Sequence, residues 1–468
     1  MKSALLNTSS SKKTNDTARA VRIKIKREGR CNMVDAAEVK IWGELVGAVL
    51  WNADKQLASF QYDKKFLTKA IDLSPIKMPY KNGDRIYSFP ELRRSKDEAE
   101  PAFDGLPGLL ADTLPDKYGN KLIEIWLSDN GRPLNSMNPV EKLCFIGTRG
   151  MGALEFEPAH FKPNKQTFAI EIKSLVEIAQ KMLSAREGFT VGLREDEKKA
   201  MSEILKIGTS AGGARPKAVI AFNKKTGEVR SGQTMAPKGF EHWLLKLDGV
   251  SDMQFGSSHG YGRVEYAYYL MARDCDINMM ECELLEENER AHFMTKRFDR
   301  EGSNTKHHIQ TLCGIQHFDY NNLYGYSYEQ LFQTMRMLKM SYPEAEQMFR
   351  RMVFNVMATN YDDHAKNFSF RLKQESTWEL SPAYDVCYAY DPANIWVNQH
   401  TLSINGKHKE INKSDLMKIA DANHVAKGEK IIKEIKETVC NWQQYADTAK
   451  VSPKLKDSIA KTLVAPKF

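Results

Sequence analysis

Residues 357–370 place an unusual density of polar side chains between two apolar runs. The polar residues are Asp362, Asp363, His364, Lys366 and Asn367. Because a polar group buried without a partner costs free energy, such a segment is either an internally hydrogen-bonded turn or a reactive site. Asp362 and Asn367 have the D-x-x-x-x-N spacing of a kinase catalytic loop, in which the aspartate faces the acceptor hydroxyl and the asparagine binds Mg²⁺.

Two other interpretations of this loop remain open from its residues alone. A capped, hydrogen-bonded turn explains Asp362, Asp363 and His364 without any catalysis. A carboxylate–histidine metal site of a hydrolase explains the same residues, but it needs further ligands, and the sequence has no second His/Asp cluster. The residues of the loop alone therefore do not distinguish these functions, and the elements that position the loop have to be considered as well.

Four more polar residues stand in apolar settings, in the order in which a kinase uses them. They are Lys246 in a predicted strand, Glu265 in the first turn of the next predicted helix, Asp299 at a strand end and Asp385 beyond a hairpin. In a kinase the lysine grips the ATP phosphates and is oriented by the helix glutamate, a connecting segment binds adenine and ribose, and the last aspartate holds Mg²⁺. Because His-Arg-Asp and Asp-Phe-Gly are both missing, the sequence does not predict an ordinary eukaryotic protein kinase.

Each of these residues also has a simpler explanation when it is taken singly. A lysine such as Lys246 is more typical of an edge strand with its amine in solvent. An acid such as Glu265 in a first helical turn complements the helix dipole. The kinase interpretation rests on the order of the whole set, and the pairing of Glu265 with Lys246 follows only from the predicted position on the helix.

Two glycine-rich runs raise the question of phosphate binding. Residues 145–156 contain three glycines within six residues, which is more typical of a tight turn than of a phosphate cradle. Residues 208–217 contain two glycines at Walker A spacing, but Ala214-Arg215 follows where that motif requires Lys-Ser/Thr. The second run remains evenly balanced between a phosphate-related loop and an ordinary turn.

The composition is typical of a globular protein from a reducing compartment. Of 468 residues, 42% are hydrophobic and 27% charged, and the length suffices for two or three domains. The seven cysteines are scattered without a C-x-x-C pair, which argues against a disulfide framework or a zinc site. No apolar run reaches the roughly 20 residues of a membrane span, and residues 1–17 lack the apolar core of a secretory signal. We therefore expect a cytoplasmic protein without a membrane partner.

The net charge of +8 is spread over segments that mix lysine and glutamate. This pattern favours a solvated basic surface over a dedicated nucleic-acid site.

The predicted elements indicate an α+β fold in four parts. Polar residues 1–20 predict a disordered leader, and the short alternating strands of residues 21–161 predict a small N-terminal α+β domain. Residues 162–300 are expected to form a region like a kinase N-lobe, with a regulatory loop and a hinge. Residues 301–468 are expected to form a mostly helical C-lobe with the catalytic loop, which a helix at 344–358 delivers. The two lobes together would form a protein-kinase-like core.

Six motifs of the sequence, in order, resemble those of the HipA family, the serine/threonine-kinase toxins of bacterial toxin–antitoxin modules. The motifs are Leu106–Asp116, Gly147–Leu154, Ser210–Lys217, Lys296–Arg300, Asn360–Asn367 and Ser381–Asp385. The similarity extends from about residue 38 to about residue 445.

The resemblance implies a role for residues of the reaction centre. Asp362 corresponds to the catalytic aspartate of the family, and Asn367 and Asp385 to its Mg²⁺ ligands. Lys246 corresponds to the residue that contacts the ATP phosphates. The cofactors implied are therefore ATP and Mg²⁺.

The resemblance also implies how the nucleotide is held and how the enzyme is regulated. The segment beginning at Lys296 would be the hinge, with Phe298 near adenine and Asp299 toward the ribose. Ser210 matches the family's regulatory autophosphorylation serine, in the loop that ends at Lys217 and contacts ATP. Phosphorylation adds about two negative charges to this loop, which would repel the ATP phosphates and unseat the loop.

Members of the family have two kinds of partner. A small helix-turn-helix antitoxin of the HipB type holds the kinase inactive and binds operator DNA, so that contact with DNA is indirect. The other partner is the protein substrate, in several members an aminoacyl-tRNA synthetase. Two alternatives use the same residues: a catalytically weak kinase-fold corepressor beside a DNA-binding antitoxin, and a kinase of a small-molecule hydroxyl.

Overall fold

The computed structural model describes residues 34–95, 100–161, 169–184, 208, 215–232, 235–252, 256–257 and 259–468. The predicted leader at 1–20, the first residues of the predicted N-terminal domain and the predicted regulatory serine Ser210 lie outside these residues.

An antiparallel sheet with strand order β3-β2-β1-β4 forms the N-terminal part. Its strands are β1 (Ala36–Ile41), β2 (Glu44–Asn52), β3 (Leu57–Tyr62) and β4 (Leu154–Glu157). In the described part of the stretch between β3 and β4 there are four α-helices, namely α1 (Lys64–Leu67), α2 (Gly108–Ala111), α3 (Lys117–Asp129) and α4 (Pro139–Ile146). In β1, Val39 and Ile41 alternate with less buried residues, as expected for a strand with one face on the core, and α4 packs against this sheet.

A second antiparallel sheet has the order β10-β11-β7-β5-β6. Its strands are β5 (Lys217–Phe222), β6 (Val229–Ser231), β7 (Glu241–Lys246), β10 (Cys282–Glu287) and β11 (Arg290–Lys296). Helix α5 (Ile172–Ser184) precedes it, a short hairpin of β8 (Ser251–Asp252) and β9 (Gly256–Ser257) follows β7, and α6 (Tyr261–Asp274) packs on β10 and β11. Residues of α3 and α5 share a core with β5 and β7, so α3 belongs to the packing of this second sheet.

The remaining chain is mostly helical around a three-stranded sheet. The strands are β12 (Arg300–Glu301), β13 (Thr305–Lys306), β14 (His308–Thr311), β15 (Ser369–Leu372) and β16 (Trp378–Leu380), of which the last three form the sheet. The helices are α7 (Leu312–Gln316), α8 (Tyr328–Met337), α9 (Tyr342–Met357), α10 (Lys413–Ala422), α11 (Gly428–Cys440), α12 (Trp442–Thr448) and α13 (Pro453–Ala460).

Helix α9 leads directly into the polar loop, as the sequence predicts. Its first turn is closed by a capping box, in which Ser341 and Glu344 each satisfy an amide at the helix start. Phe349, Met352 and Val353 are fully buried, so the helix is fixed on its apolar side. The α+β fold class is confirmed, whereas the four domain boundaries remain predictions. None of the helices among the described residues is long and apolar enough to cross a membrane.

Candidate active site

Lys246 lies between two carboxylates that come from distant parts of the chain. It ends β7, which is an interior strand flanked by β5 and β11, so the edge-strand explanation does not hold. Its Nζ lies 2.5 Å from Glu265 Oε1 on α6 and also forms an ion pair with the Asp385 carboxylate. The predicted pairing of Glu265 with Lys246 is present, but α6 begins at Tyr261, so Glu265 lies beyond the first turn in which the sequence placed it.

The electrostatics of this trio favour a charged lysine and a charged Asp385. Burial opposes the ammonium, but the Asp385 and Glu265 carboxylates outweigh it and hold the pKa of Lys246 above its ordinary value. Burial likewise opposes ionisation of Asp385, but Lys246 and Lys217 lower its pKa. For Glu265 burial dominates and raises the pKa. Asp385 has a positive φ of 52°, a strained conformation that Asp tolerates better than most residues and that is common at functional sites.

A second lysine, Lys217, lies beside Lys246 on the neighbouring strand of the same sheet. The two residues are directly paired across β5 and β7. Lys217 is 3% exposed, and its Nζ lies 3.4 Å from Asp116 Oδ2. Burial lowers the pKa of Lys217, whereas the carboxylates of Asp116 and Asp385 oppose this decrease. The predicted ATP-contacting lysine therefore lies in the same group of charges as the Lys246 trio.

The polar loop is anchored by the residue next to the predicted catalytic aspartate. Asp363 is fully buried and accepts hydrogen bonds from Tyr328 Oη (2.9 Å), His400 Nδ1 (2.8 Å) and the Thr401 amide (2.7 Å). Asp362 points the other way, and its side chain is 46% exposed. The loop therefore combines a hydrogen-bonded anchor, which the turn interpretation predicted, with an accessible carboxylate that is free to meet a substrate.

The other polar residues of the loop shape the surroundings of Asp362. Asn367 Nδ2 donates to the Asp362 carbonyl at 2.6 Å, which fixes the orientation of the Asn367 amide plane. His364 Nε2 lies 3.5 Å from Asp362 Oδ1. The ammonium of Lys366 lies over the ring of Tyr320, 4.5 Å from its centroid.

Tyr384 connects the loop to the segment that carries Asp385. Its hydroxyl donates to the Lys366 carbonyl at 2.7 Å, and its ring stacks on Phe298 with centroids 5.5 Å apart. The Phe298 carbonyl in turn accepts from Arg371 at 2.8 Å. The predicted adenine-facing Phe298 is thus held next to the Asp385 segment.

Asp299, which the resemblance places toward a ribose, lies in a buried cluster of charges. It is fully buried, and its carboxylate contacts Arg297 (2.6 Å), Arg300 (2.6 Å) and the amide of Gly152 (2.7 Å). Although burial opposes the charge, the two guanidinium groups hold its pKa well below the ordinary range. Lys296, the first residue of the predicted hinge, pairs instead with Glu241 at the surface.

The glycine run at 145–156 is a turn that fits the Asp299 cluster. The Gly150 carbonyl accepts from Arg300 at 3.0 Å, and the Gly152 carbonyl accepts from Arg300 at 2.9 Å. Gly152 has a φ of 77°, which side chains rarely adopt. The run therefore connects the N-terminal sheet to the predicted hinge, in agreement with the tight-turn interpretation.

Sequence reasoning missed two acids that the structure brings to the site. Asp112 accepts from the Thr311 amide (2.7 Å) and hydroxyl (2.6 Å), and Asp116 contacts Lys217. The positive charge of Lys366 acts on both carboxylates. Both acids lie in the Leu106–Asp116 motif. The sequence identifies this motif, but it does not show that the motif packs beside the lysines.

The side chains present are suited to bind a Mg²⁺ ion that enters the site together with a nucleotide. Among the described residues, no three His, Cys, Asp or Glu side chains are grouped so that they could hold a metal ion. Mg²⁺ usually takes one or two protein oxygens together with substrate phosphates and water. The ionised Asp385 and the Asn367 amide oxygen are ligands of this type.

Comparisons with known proteins point to one family. Residues 209–445 match the HipA-like C-terminal domain, and residues 37–157 match the HipA N-terminal domain. A solved structure of Shewanella oneidensis MR-1 HipA, in a complex with HipB and operator DNA, is similar with a TM-score of 0.59 and 17% identity, covering 91% of this chain and 94% of that chain. A Helicobacter pylori proinflammatory kinase, CtkA, aligns at a TM-score of 0.28 and 14% identity, covering 49% of this chain and 92% of that chain. No curated protein matches the chain.

Proposed function

Because the chain belongs to the HipA family, we propose that it is an ATP- and Mg²⁺-dependent serine/threonine protein kinase that acts as the toxin of a toxin–antitoxin pair. The observation that carries the proposal is the ion-paired Lys246, which lies between Glu265 and Asp385. A lysine, a helix glutamate and a metal-binding aspartate in this relation are what phosphoryl transfer in protein kinases requires.

The proposed chemistry depends on positioning and charge rather than on covalent catalysis. Lys246, oriented by Glu265, binds the phosphates, and Asn367 and Asp385 hold the metal. When bound, Mg²⁺ neutralises charge on the phosphate oxygens. Asp362 orients the acceptor hydroxyl and accepts its proton late, because a loose transition state needs little base strength. Its exposed position suits a protein acceptor, which has to reach it from solvent.

The proposed regulation and partners follow from the family. Phosphorylation of Ser210 would switch the enzyme off by unseating its loop. A HipB-like antitoxin would hold the kinase inactive and bring it to operator DNA. The acceptor would be a cellular protein such as an aminoacyl-tRNA synthetase. A corepressor without activity would not require the Lys246 ion pairs. Their presence therefore favours an enzyme over a corepressor.

The proposal is tested by phosphoproteomics after pulsed expression of wild type and Asp362→Asn. We expect the variant to fold and to lower phosphate transfer from radiolabelled ATP by roughly a hundredfold or more, since Asp362 orients and deprotonates the acceptor. Asp421→Asn, an exposed substitution on α10, serves as the matched control. Transfer at the wild-type rate by Asp362→Asn would reject the assignment, and a phosphosite that depends on Asp362 would identify the acceptor.

A further inference from the structure

The Leu106–Asp116 motif of the N-terminal region enters the proposed active site. We propose that Asp116 is a positioning residue, which holds Lys217 in place to bind the ATP phosphates. The inference rests on the proposed function, because it concerns the nucleotide of that reaction. It adds to the site a residue that precedes the two predicted kinase lobes in the chain.

Asp116 has two separate contacts, one for each carboxylate oxygen. Oδ1 accepts from the Gly119 amide at 2.9 Å and so caps the start of α3. Oδ2 lies 3.4 Å from Lys217 Nζ. Because the cap uses only one oxygen, the second is left for the lysine, and the helix fixes the direction from which the carboxylate approaches.

Lys217 needs such a partner because of where the sheet places it. It is almost fully buried, and burial of an ammonium is costly unless an opposite charge is near. Lys246, directly across the strand pair, repels it. Asp385 attracts it, but Asp385 also pairs with Lys246 and is the proposed metal ligand. Asp116 takes no part in the proposed metal site, so it can hold Lys217 while Asp385 holds the metal.

The position of Asp116 is itself held by packing. The residues that follow it, Tyr118 and Leu122 of α3, lie in the same core as Ala218 and Ile220 of β5. On the other side, Asp112 is held by Thr311 at the start of α7. The carboxylate is therefore fixed relative to both the strand that carries Lys217 and the helical part of the molecule.

The experiment separates the ion pair from the helix cap. Asparagine and serine cap helices about as well as aspartate, so Asp116→Asn and Asp116→Ser keep the Gly119 contact but remove the charge. We expect both variants to raise the KM for ATP roughly tenfold or more, with kcat at saturating ATP close to wild type. The urea midpoint should fall as well, because Lys217 loses the charge that offsets its burial. Asp63→Asn is the matched control, because Asp63 caps α1 in the same way without a lysine partner in the site.

A double-mutant cycle with Lys217→Met shows whether Asp116 acts through the lysine. The combined variant is expected to bind Mg²⁺ and a non-hydrolysable ATP analogue no more weakly than Lys217→Met alone. A wild-type KM in both Asp116 variants, or additive losses in the cycle, would overturn the inference while the proposed function stands. Absence of binding and transfer in the wild-type protein would instead reject the proposed function.

Discussion

Neighbouring residues of the same type lie in opposite environments in the polar loop. Asp362 and Asp363 are both acids, yet one is half exposed and the other is fully buried with three hydrogen-bond donors. In an extended segment successive side chains point to opposite sides, so one of two adjacent acids faces the interior. The hydrogen bonds of Asp363 hold the loop in place, so Asp362 can be accessible to solvent on a well-fixed backbone.

Asp112 gives a pH dependence that can be measured. Burial raises its pKa from 3.8 to about 6, against the hydrogen bonds from Thr311. The folded protein therefore holds a proton between about pH 4 and 6 that the unfolded chain has released, and this contribution to stability is lost as the pH rises through 6. We expect Asp112→Asn, which cannot ionise, to gain stability relative to wild type over this range, by at most about 1.4 kcal/mol per pH unit.

The measurement is urea unfolding of both proteins from pH 4 to 7. Asp63→Asn removes a negative charge at a helix start and serves as the control for a general charge effect. A constant difference between Asp112→Asn and wild type at every pH would contradict the raised pKa of Asp112.

At the scale of elements, Glu344 connects the start of α9 to the end of β16. Its Oε2 accepts from the Ser341 amide at 2.7 Å and from the Ser341 hydroxyl at 2.9 Å. Its Oε1 accepts from the Leu380 amide at 2.8 Å, five residues before Asp385. One side chain therefore connects the helix that leads to Asp362 with the strand that leads to Asp385, the proposed metal ligand.

Replacing this residue should affect both stability and activity. Glu344→Ala is expected to destabilise the protein by about 1–2 kcal/mol, because it opens the capping box and leaves the Leu380 amide without its acceptor. Phosphate transfer should fall as well, since Asp385 loses part of its support. Urea unfolding and transfer from radiolabelled ATP measure the two effects.

The control is Gln330→Ala, which removes the corresponding residue of the capping box on α8. It should cost a similar stability without lowering transfer. Equal transfer by Glu344→Ala and Gln330→Ala would show that Glu344 does not support the site.

At the scale of the whole molecule, the Asp299 cluster joins the N-terminal region to the predicted hinge. The side chains of Arg297 and Arg300 are almost fully buried, and the Asp299 carboxylate lies between them while it accepts from the Gly152 amide. Lys306 adds to the connection through the Thr148 carbonyl, at 2.8 Å. A buried cluster of this kind fixes relative orientation more than it adds stability.

Although such a cluster adds little net stability, removing one of its charges is costly. We expect Asp299→Asn to destabilise the protein by about 3–5 kcal/mol, because two buried guanidinium groups lose the negative charge between them. The free energy of unfolding from urea titrations measures the loss. Glu157→Gln, which breaks the half-exposed ion pair with Lys40, is the control and should cost less than about 1 kcal/mol. Equal small losses in both variants would contradict the central role of Asp299.

Patterns that are local in the sequence were predicted well. The α+β class follows from periodicity, and α9 and the strand that carries Lys246 lie where the pattern of apolar residues places them. The order of the polar residues along the chain predicts that Lys246, Glu265 and Asp385 belong to one site. Such features depend on neighbouring residues, whose spacing the sequence shows directly.

Only the tertiary structure decided which partners these residues meet. Taken singly, Lys246 fits an edge strand, but the sheet order makes its strand an interior one. Asp299 lies between two arginines, which no pattern in the sequence predicts. Asp116 lies 101 residues from Lys217 in the chain, a separation across which no periodicity carries information. The physical reason is that burial and charge pairing depend on how distant elements pack, whereas the sequence alone determines the chemistry that each side chain brings to that packing.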